Sequence, residues 1–136
     1  MFLVAQNWQV WYEALSKPAW TPSGGTIGLI WSILYPIILV SYVYAIYAWR
    51  HGKLPIKLAI IFSLNVLANL IFTPIQFGLE NLWLSSLDIL IVWSTIVLFA
   101  IGVWRYSKIL AIAQIPYFVW VTIATILQLT ITFSNL

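Results

Sequence analysis

Residues 81–104 read NLWLSSLDILIVWSTIVLFAIGVW, a run in which Asp88 is the only charge between Glu80 and Arg105. About 20 apolar residues at a rise of roughly 1.5 Å each cross a hydrocarbon layer of about 30 Å. A stretch of this length, continuously apolar rather than alternating, reads as a membrane-spanning helix and not as a strand of a membrane barrel.

The neighbouring sequence repeats the pattern. From Ile109 to the C-terminus nothing is charged, Lys57 and Glu80 bracket another apolar stretch, and residues 18–49 carry no charge. The reading is an all-α, polytopic membrane helical bundle of four transmembrane helices at about 27–49, 56–78, 82–105 and 109–133, in one domain over residues 1–136, with 1–26 as an N-terminal segment. The connections are short, so consecutive helices are expected to be antiparallel neighbours. Arg50, Lys53, Lys57, Arg105 and Lys108 all fall at the first and third connections, which the positive-inside rule assigns to the cytoplasm.

Composition supports the same class. The chain is 63% hydrophobic and 7% charged, against about 25% charged in a soluble domain, so lipid must solvate most of its surface. A net charge of +3 dispersed along the chain makes no nucleic-acid-binding face. Without cysteine and with His51 as the single histidine, thiolate chemistry and a histidine-rich metal site are excluded. No phosphate-cradling glycine loop or Ser-His-acid set is present, so no catalytic residue is assigned and a conventional enzyme is not expected. The start, MFLVAQNWQ, lacks the basic region of a cleavable signal peptide.

Aromatic residues dominate what remains: nine tryptophans, seven tyrosines and seven phenylalanines. Trp8, Trp11, Trp49, Trp83 and Trp104 lie near helix ends, where tryptophan anchors a membrane interface. Trp31, Trp93 and Trp120 lie deeper, and Trp93 and Trp120 are equidistant from the last connection. Gly28, Trp31, Tyr35 and Tyr42 share one helical face, and Trp120, Ala124, Leu127 and Gln128 share another. Such faces are either ordinary packing or the walls of a cavity. Asp88 is a buried polar residue about two turns inside its helix, where a lone carboxylate is costly; Asn69 is level with it on the preceding helix and is the expected partner, as structural glue or as a joint ligand contact. Pro36 and Pro74 are expected to kink their helices, and Gly24, Gly28 and Ser32 form a small-residue ridge suited to close approach.

The segment WYEALSKPAWTP at residues 11–22, followed by Trp31, Leu34 and Tyr35, closely resembles the signature of the translocator protein family, the tryptophan-rich sensory proteins (TspO/MBR). The likeness continues through Asn69, Pro74, Phe77, Gly78 and Asp88 to PYFVW at residues 116–120. It implies a five-helix bundle, often a homodimer, that binds porphyrins, sterols and synthetic aromatic ligands in a cavity beneath a lid loop. By resemblance, Gly28, Trp31, Tyr35, Asn69, Trp120, Ala124 and Leu127 would line that cavity, and Trp11, Tyr12, Lys17, Pro18 and Trp20 would belong to the lid. Only ten residues precede Trp11, too few to span a membrane, so four helices are expected here where the family has five: either the first helix is lost or the true start lies upstream of Met1. Ser23 replaces a second lid proline, Leu70 and Phe72 replace tryptophans, and no charge follows Lys108 to complete a sterol-recognition pattern.

The expectation is therefore a receptor or carrier for tetrapyrroles, such as a porphyrin or heme-like ligand, acting in tetrapyrrole handling or stress response in a bacterial plasma membrane, with an organelle membrane as the alternative. It needs no resident cofactor; family members are linked to tryptophan-assisted porphyrin breakdown. The contrasting expectation is a structural subunit that completes its bundle with a partner. An ion-conducting role resting on Asp88 has the least support.

Overall fold

The computed structural model describes residues 8–136, with side chains from residue 9 onward, so the expected anchoring by the Trp8 side chain lies outside the described residues. Its elements are α1 (Trp8–Ala14), α2 (Gly24–Arg50), α3 (Ile56–Thr73) prolonged by a π turn (Pro74–Gly78), α4 (Leu82–Val103), α5 (Lys108–Ala113) and α6 (Ile115–Ser134). Four helical rods, Gly24–Arg50, Ile56–Gly78, Leu82–Val103 and Lys108–Ser134, are long and apolar enough to cross a membrane. The all-α membrane bundle follows the apolar runs of the sequence, with ends shifted by a few residues.

Local chemistry accounts for those ends. α2 begins three residues earlier than expected because the Ser23 hydroxyl accepts the Thr26 N–H at 3.1 Å, satisfying one orphan donor of the first turn. It stops where Gly52, at φ +72°, lets Lys53 N–H reach the Ala48 carbonyl and Gly52 N–H reach that of Trp49, a left-handed cap that only glycine adopts without strain. Asn81 and Ser107 cap α4 and α5 through the Leu84 and Leu110 amides.

The two helical prolines behave differently from each other. Pro36 lies within an unbroken α2. Pro74 lacks the N–H of a regular turn and crowds the carbonyl four residues back, and the chain answers by widening: Leu79 N–H bonds the Pro74 carbonyl five residues earlier, at 3.0 Å. A third proline, Pro116, sits in the first turn of α6 and divides the fourth rod at Gln114, whose side-chain amide donates to the Leu110 carbonyl.

α3 packs along α4, and α4 along α6, while α2 leans on α3, α5 and α6. Antiparallel order gathers Arg50, Lys53, Lys57, Arg105 and Lys108 at one end of the bundle. The half nearer those charges is filled: Phe62 stacks on Phe99 with centroids 4.3 Å apart and meets Tyr42 edge-on, with Ala45 and Val103 fully buried beside them. The Cβ of an alanine at Gly102 would lie 2.6 Å from Leu58 Cδ2, which shows how closely α3 and α4 approach there. The opposite half, under α1, is hollow.

Candidate functional site

The hollow is a cavity of about 370 Å³ between the start of α2, the end of α3 with its π turn, the first half of α4 and the middle of α6. Its volume lies in the range of small-molecule sites, and its mixture of apolar walls with a few polar groups is typical of them.

Trp31 and Trp120 form two walls. Their rings stand nearly perpendicular, at 85° with centroids 6.5 Å apart, and Trp31 stacks on Tyr35 at 5.2 Å. Offset and edge-on contacts in this range suit the ring quadrupoles. Ala124 and Leu127 complete the α6 side, and Asn69 and Tyr35 also face the space. Six of the seven expected lining residues therefore meet there. Gly28 does not: it is exposed on the outer side of α2 together with Gly24 and Ser32, and nothing lies within 4 Å of where its Cβ would be. It is adjacent to Trp31 in helical spacing, but its arc of the helix turns to lipid.

A polar chain braces the wall behind Tyr35. The Tyr35 hydroxyl donates to Asn69 Oδ1 at 3.0 Å, the Asn69 amide donates to the Tyr117 hydroxyl, and that hydroxyl donates to Asn65 Oδ1. Asn65 Nδ2 then donates to the Val92 carbonyl and to Thr95 Oγ1. Asn69 is thus committed to two tyrosines, and the expected Asn69–Asp88 bond does not form. The Asn65–Val92 contact places α3 and α4 in the register that makes Asn69 and Asp88 level, yet rotation about the helices gives the amide to Tyr117 instead. Asp88 is buried, and its Oδ2 has no hydrogen-bond partner among the described residues.

Trp93 and Trp120, level on adjacent helices, have different roles. The Trp93 indole donates to Thr122 Oγ1 at 2.9 Å, tying α4 to α6. The buried Trp120 Nε1 has no acceptor among the described residues.

The π turn contributes a residue that sequence periodicity missed. Gln76 is buried, faces the cavity and exchanges two amide hydrogen bonds with Gln128 across the bundle, at 3.0 and 3.1 Å. A regular helix would have carried Gln76 to another bearing; the signal available was a second glutamine in an apolar span, since a polar side chain in lipid needs a partner.

α1 closes the mouth. Tyr12 lines the cavity and meets Phe77 edge-on at 5.6 Å, with Trp11 on the same ring at 6.4 Å. Lys17 Nζ donates to the Tyr12 carbonyl at 2.8 Å and lies over the Tyr12 ring. Burial, and secondarily the Glu13 carboxylate, push the Tyr12 hydroxyl above its usual value. The Thr21 hydroxyl donates to the Pro18 carbonyl, turning the chain between lid and α2. Trp20, expected in the lid, is about half exposed and does not line the cavity. The lid is fastened from a direction the sequence reading did not reach: Ser16 N–H donates to Asn135 Oδ1 and Asn135 Nδ2 donates to the Ser16 carbonyl, both at 2.9 Å. Trp83 and Trp104 are about half exposed at helix ends, as interfacial anchors are.

Comparison with known proteins identifies the family. The family model described as "TspO/MBR family" matches residues 1–134. The "Tryptophan-rich protein TspO" of Bacillus cereus is 41% identical over 127 residues, covering 93% of this chain and 82% of the relative. The "Uncharacterized membrane protein YtaB" of Bacillus subtilis is 38% identical, covering 94% and 82%. The human "Translocator protein" is 25% identical, covering 92% and 75%. Four apolar helices and bacterial relatives support a multi-pass integral protein of the bacterial plasma membrane. The chain is a membrane protein of the TspO/MBR family.

Proposed function

We propose that the protein is a membrane receptor or carrier that binds a porphyrin or a similar flat apolar tetrapyrrole in the cavity between α2, α3, α4 and α6, in tetrapyrrole handling or stress response. The observation that carries this reading is the pair of perpendicular indoles, Trp31 and Trp120, walling a space of about 370 Å³ beneath a separate lid. An aromatic wall binds a flat ring system by stacking and by burial of apolar surface, neither of which requires a charge on the ligand. The cavity is built within one chain, which favours binding over a purely structural role completed by a partner. Ligand binding and carriage, rather than conventional catalysis, is the activity it suits. A homodimer is a further part of the proposal: the exposed ridge of Gly24, Gly28 and Ser32 would let a second copy approach closely.

Quenching of tryptophan fluorescence by protoporphyrin, in the protein reconstituted into lipid nanodiscs, tests the reading. Saturable quenching is expected, weakened about fivefold by Trp120→Leu, which removes roughly 1 kcal/mol of stacking, and unaffected by Trp104→Leu at the membrane surface. Equal loss from both variants, or no saturable quenching, contradicts it.

A further inference from the structure

We infer that the Gln76–Gln128 pair selects ligands by an uncharged hydrogen-bonding edge, a group such as a primary amide, a lactam or an un-ionised carboxyl that presents a donor and an acceptor side by side. The inference rests on the proposed binding role of the cavity and adds the chemistry of the ligand's polar end.

Both side chains are almost wholly buried, at 3% and 4% exposed, and both line the cavity. Each Nε2 donates to the other's Oε1, at 3.0 and 3.1 Å, so the two amides form a closed ring. An amide has two N–H donors and an oxygen with two acceptor positions, and the ring uses only one donor and one acceptor position of each. The second N–H of Gln128 points toward Thr132 Oγ1 at 3.5 Å, and Thr132 is itself bonded to Ser86. The second N–H of Gln76 has no partner among the described residues, and it lies beside the remaining acceptor position of the Gln128 oxygen that Gln76 already bonds. One edge of the ring therefore offers a donor and an acceptor together.

The other polar groups around the cavity do not compete for this role. The Trp120 indole N–H, also without a partner among the described residues, is a donor alone and cannot offer a paired edge. Asn69 and Tyr35 are committed to the chain that ends at Asn65. Among the described residues no lysine, arginine or acid lines the space, so an ionised group placed against the pair would be buried without a counter-charge, at a heavy desolvation cost, whereas a neutral edge exchanges its water hydrogen bonds for equivalent ones. The pair also depends on a local departure from helix geometry, since the π turn after Pro74 brings Gln76 inward; such turns are common at functional sites.

The test compares two uncharged probes of nearly equal size, protoporphyrin diamide and protoporphyrin dimethyl ester, by tryptophan quenching of the full chain in phosphatidylcholine nanodiscs. The diamide carries N–H donors and the ester does not. The parent protein should bind the diamide about tenfold more tightly, the worth of one or two net hydrogen bonds. In Gln76→Leu/Gln128→Leu, which removes both partners together and strands neither, the ratio should fall to near one. Equal binding of the two probes by the parent protein overturns the inference and leaves the cavity reading intact, and needs no variant to be seen. A tenfold ratio that survives in the folded double variant also overturns it. If neither probe binds the parent protein, the cavity reading fails and this inference fails with it.

Discussion

The Asn69 side-chain amide donates to the Tyr117 hydroxyl at 2.6 Å, while Asp88, level with it on α4, is left with a buried oxygen that has no partner among the described residues. One asparagine therefore links α2, α3 and α6 through two tyrosines and holds the Trp31–Tyr35 wall in place. The bundle's polar interior is organised around hydroxyls and amides rather than around its acid.

Coupling between residues should follow that arrangement. In a double-mutant cycle read by detergent unfolding, Asn69→Leu and Tyr117→Phe should be coupled by about 0.5–2 kcal/mol, the range for hydrogen-bonded pairs inside membrane proteins. Asn69→Leu and Asp88→Asn should be additive. Coupling only in the second cycle would restore the Asn69–Asp88 pairing.

The acid itself predicts an unusual mutational response. Asp88→Asn removes a carboxyl whose buried Oδ2 has no partner among the described residues, so the variant should melt at or above the parent temperature at neutral pH. A loss of more than about 1 kcal/mol would show that the carboxyl holds a structural bond.

The Ser16–Asn135 clasp makes the lid a separable unit. Asn135→Ala removes both bonds, and because they are exposed the global cost should stay below about 1 kcal/mol. Hydrogen exchange at residues 12–17 should accelerate while that of α4 stays unchanged. Uniform acceleration across both segments would mean that the lid and bundle open together.

Topology can be checked with single cysteines, since the chain has none of its own. Cysteine in place of Lys53 or Lys108 should be labelled from the cytoplasm and cysteine in place of Glu80 from outside. Labelling of positions 53 and 80 from the same side would remove the span Ile56–Gly78.

Much of this architecture can be read from the chain because charges are so rare: every interruption of an apolar run except Asp88 lies at or beside a helix end. The cavity walls at Trp31, Trp120 and Ala124 were legible from bulky and small residues at helical spacing together with the family resemblance. Periodicity could not fix rotation about a helix axis, which is why Gly28 faces lipid and Asn69 turns from Asp88. Gln76 was hidden for a related reason, because Pro74 widens one turn and moves every later side chain off the regular bearing. Asn65 and Tyr117 carried a fainter signal: Asn65 is four residues before Asn69, on the same helical face, and a tyrosine hydroxyl inside an apolar span must find a partner. The Asn135 clasp joins residues more than a hundred positions apart, which no local pattern records.

The central claim is that the space beside Ala124 holds a flat ligand between Trp31 and Trp120. Ala124→Phe fills that space with a side chain compatible with an apolar interior, so the variant should fold and yet bind protoporphyrin at least about tenfold more weakly in the nanodisc quenching titration. The account predicts that loss with an unchanged helical circular dichroism spectrum; binding by Ala124→Phe as tight as by the parent protein would contradict it.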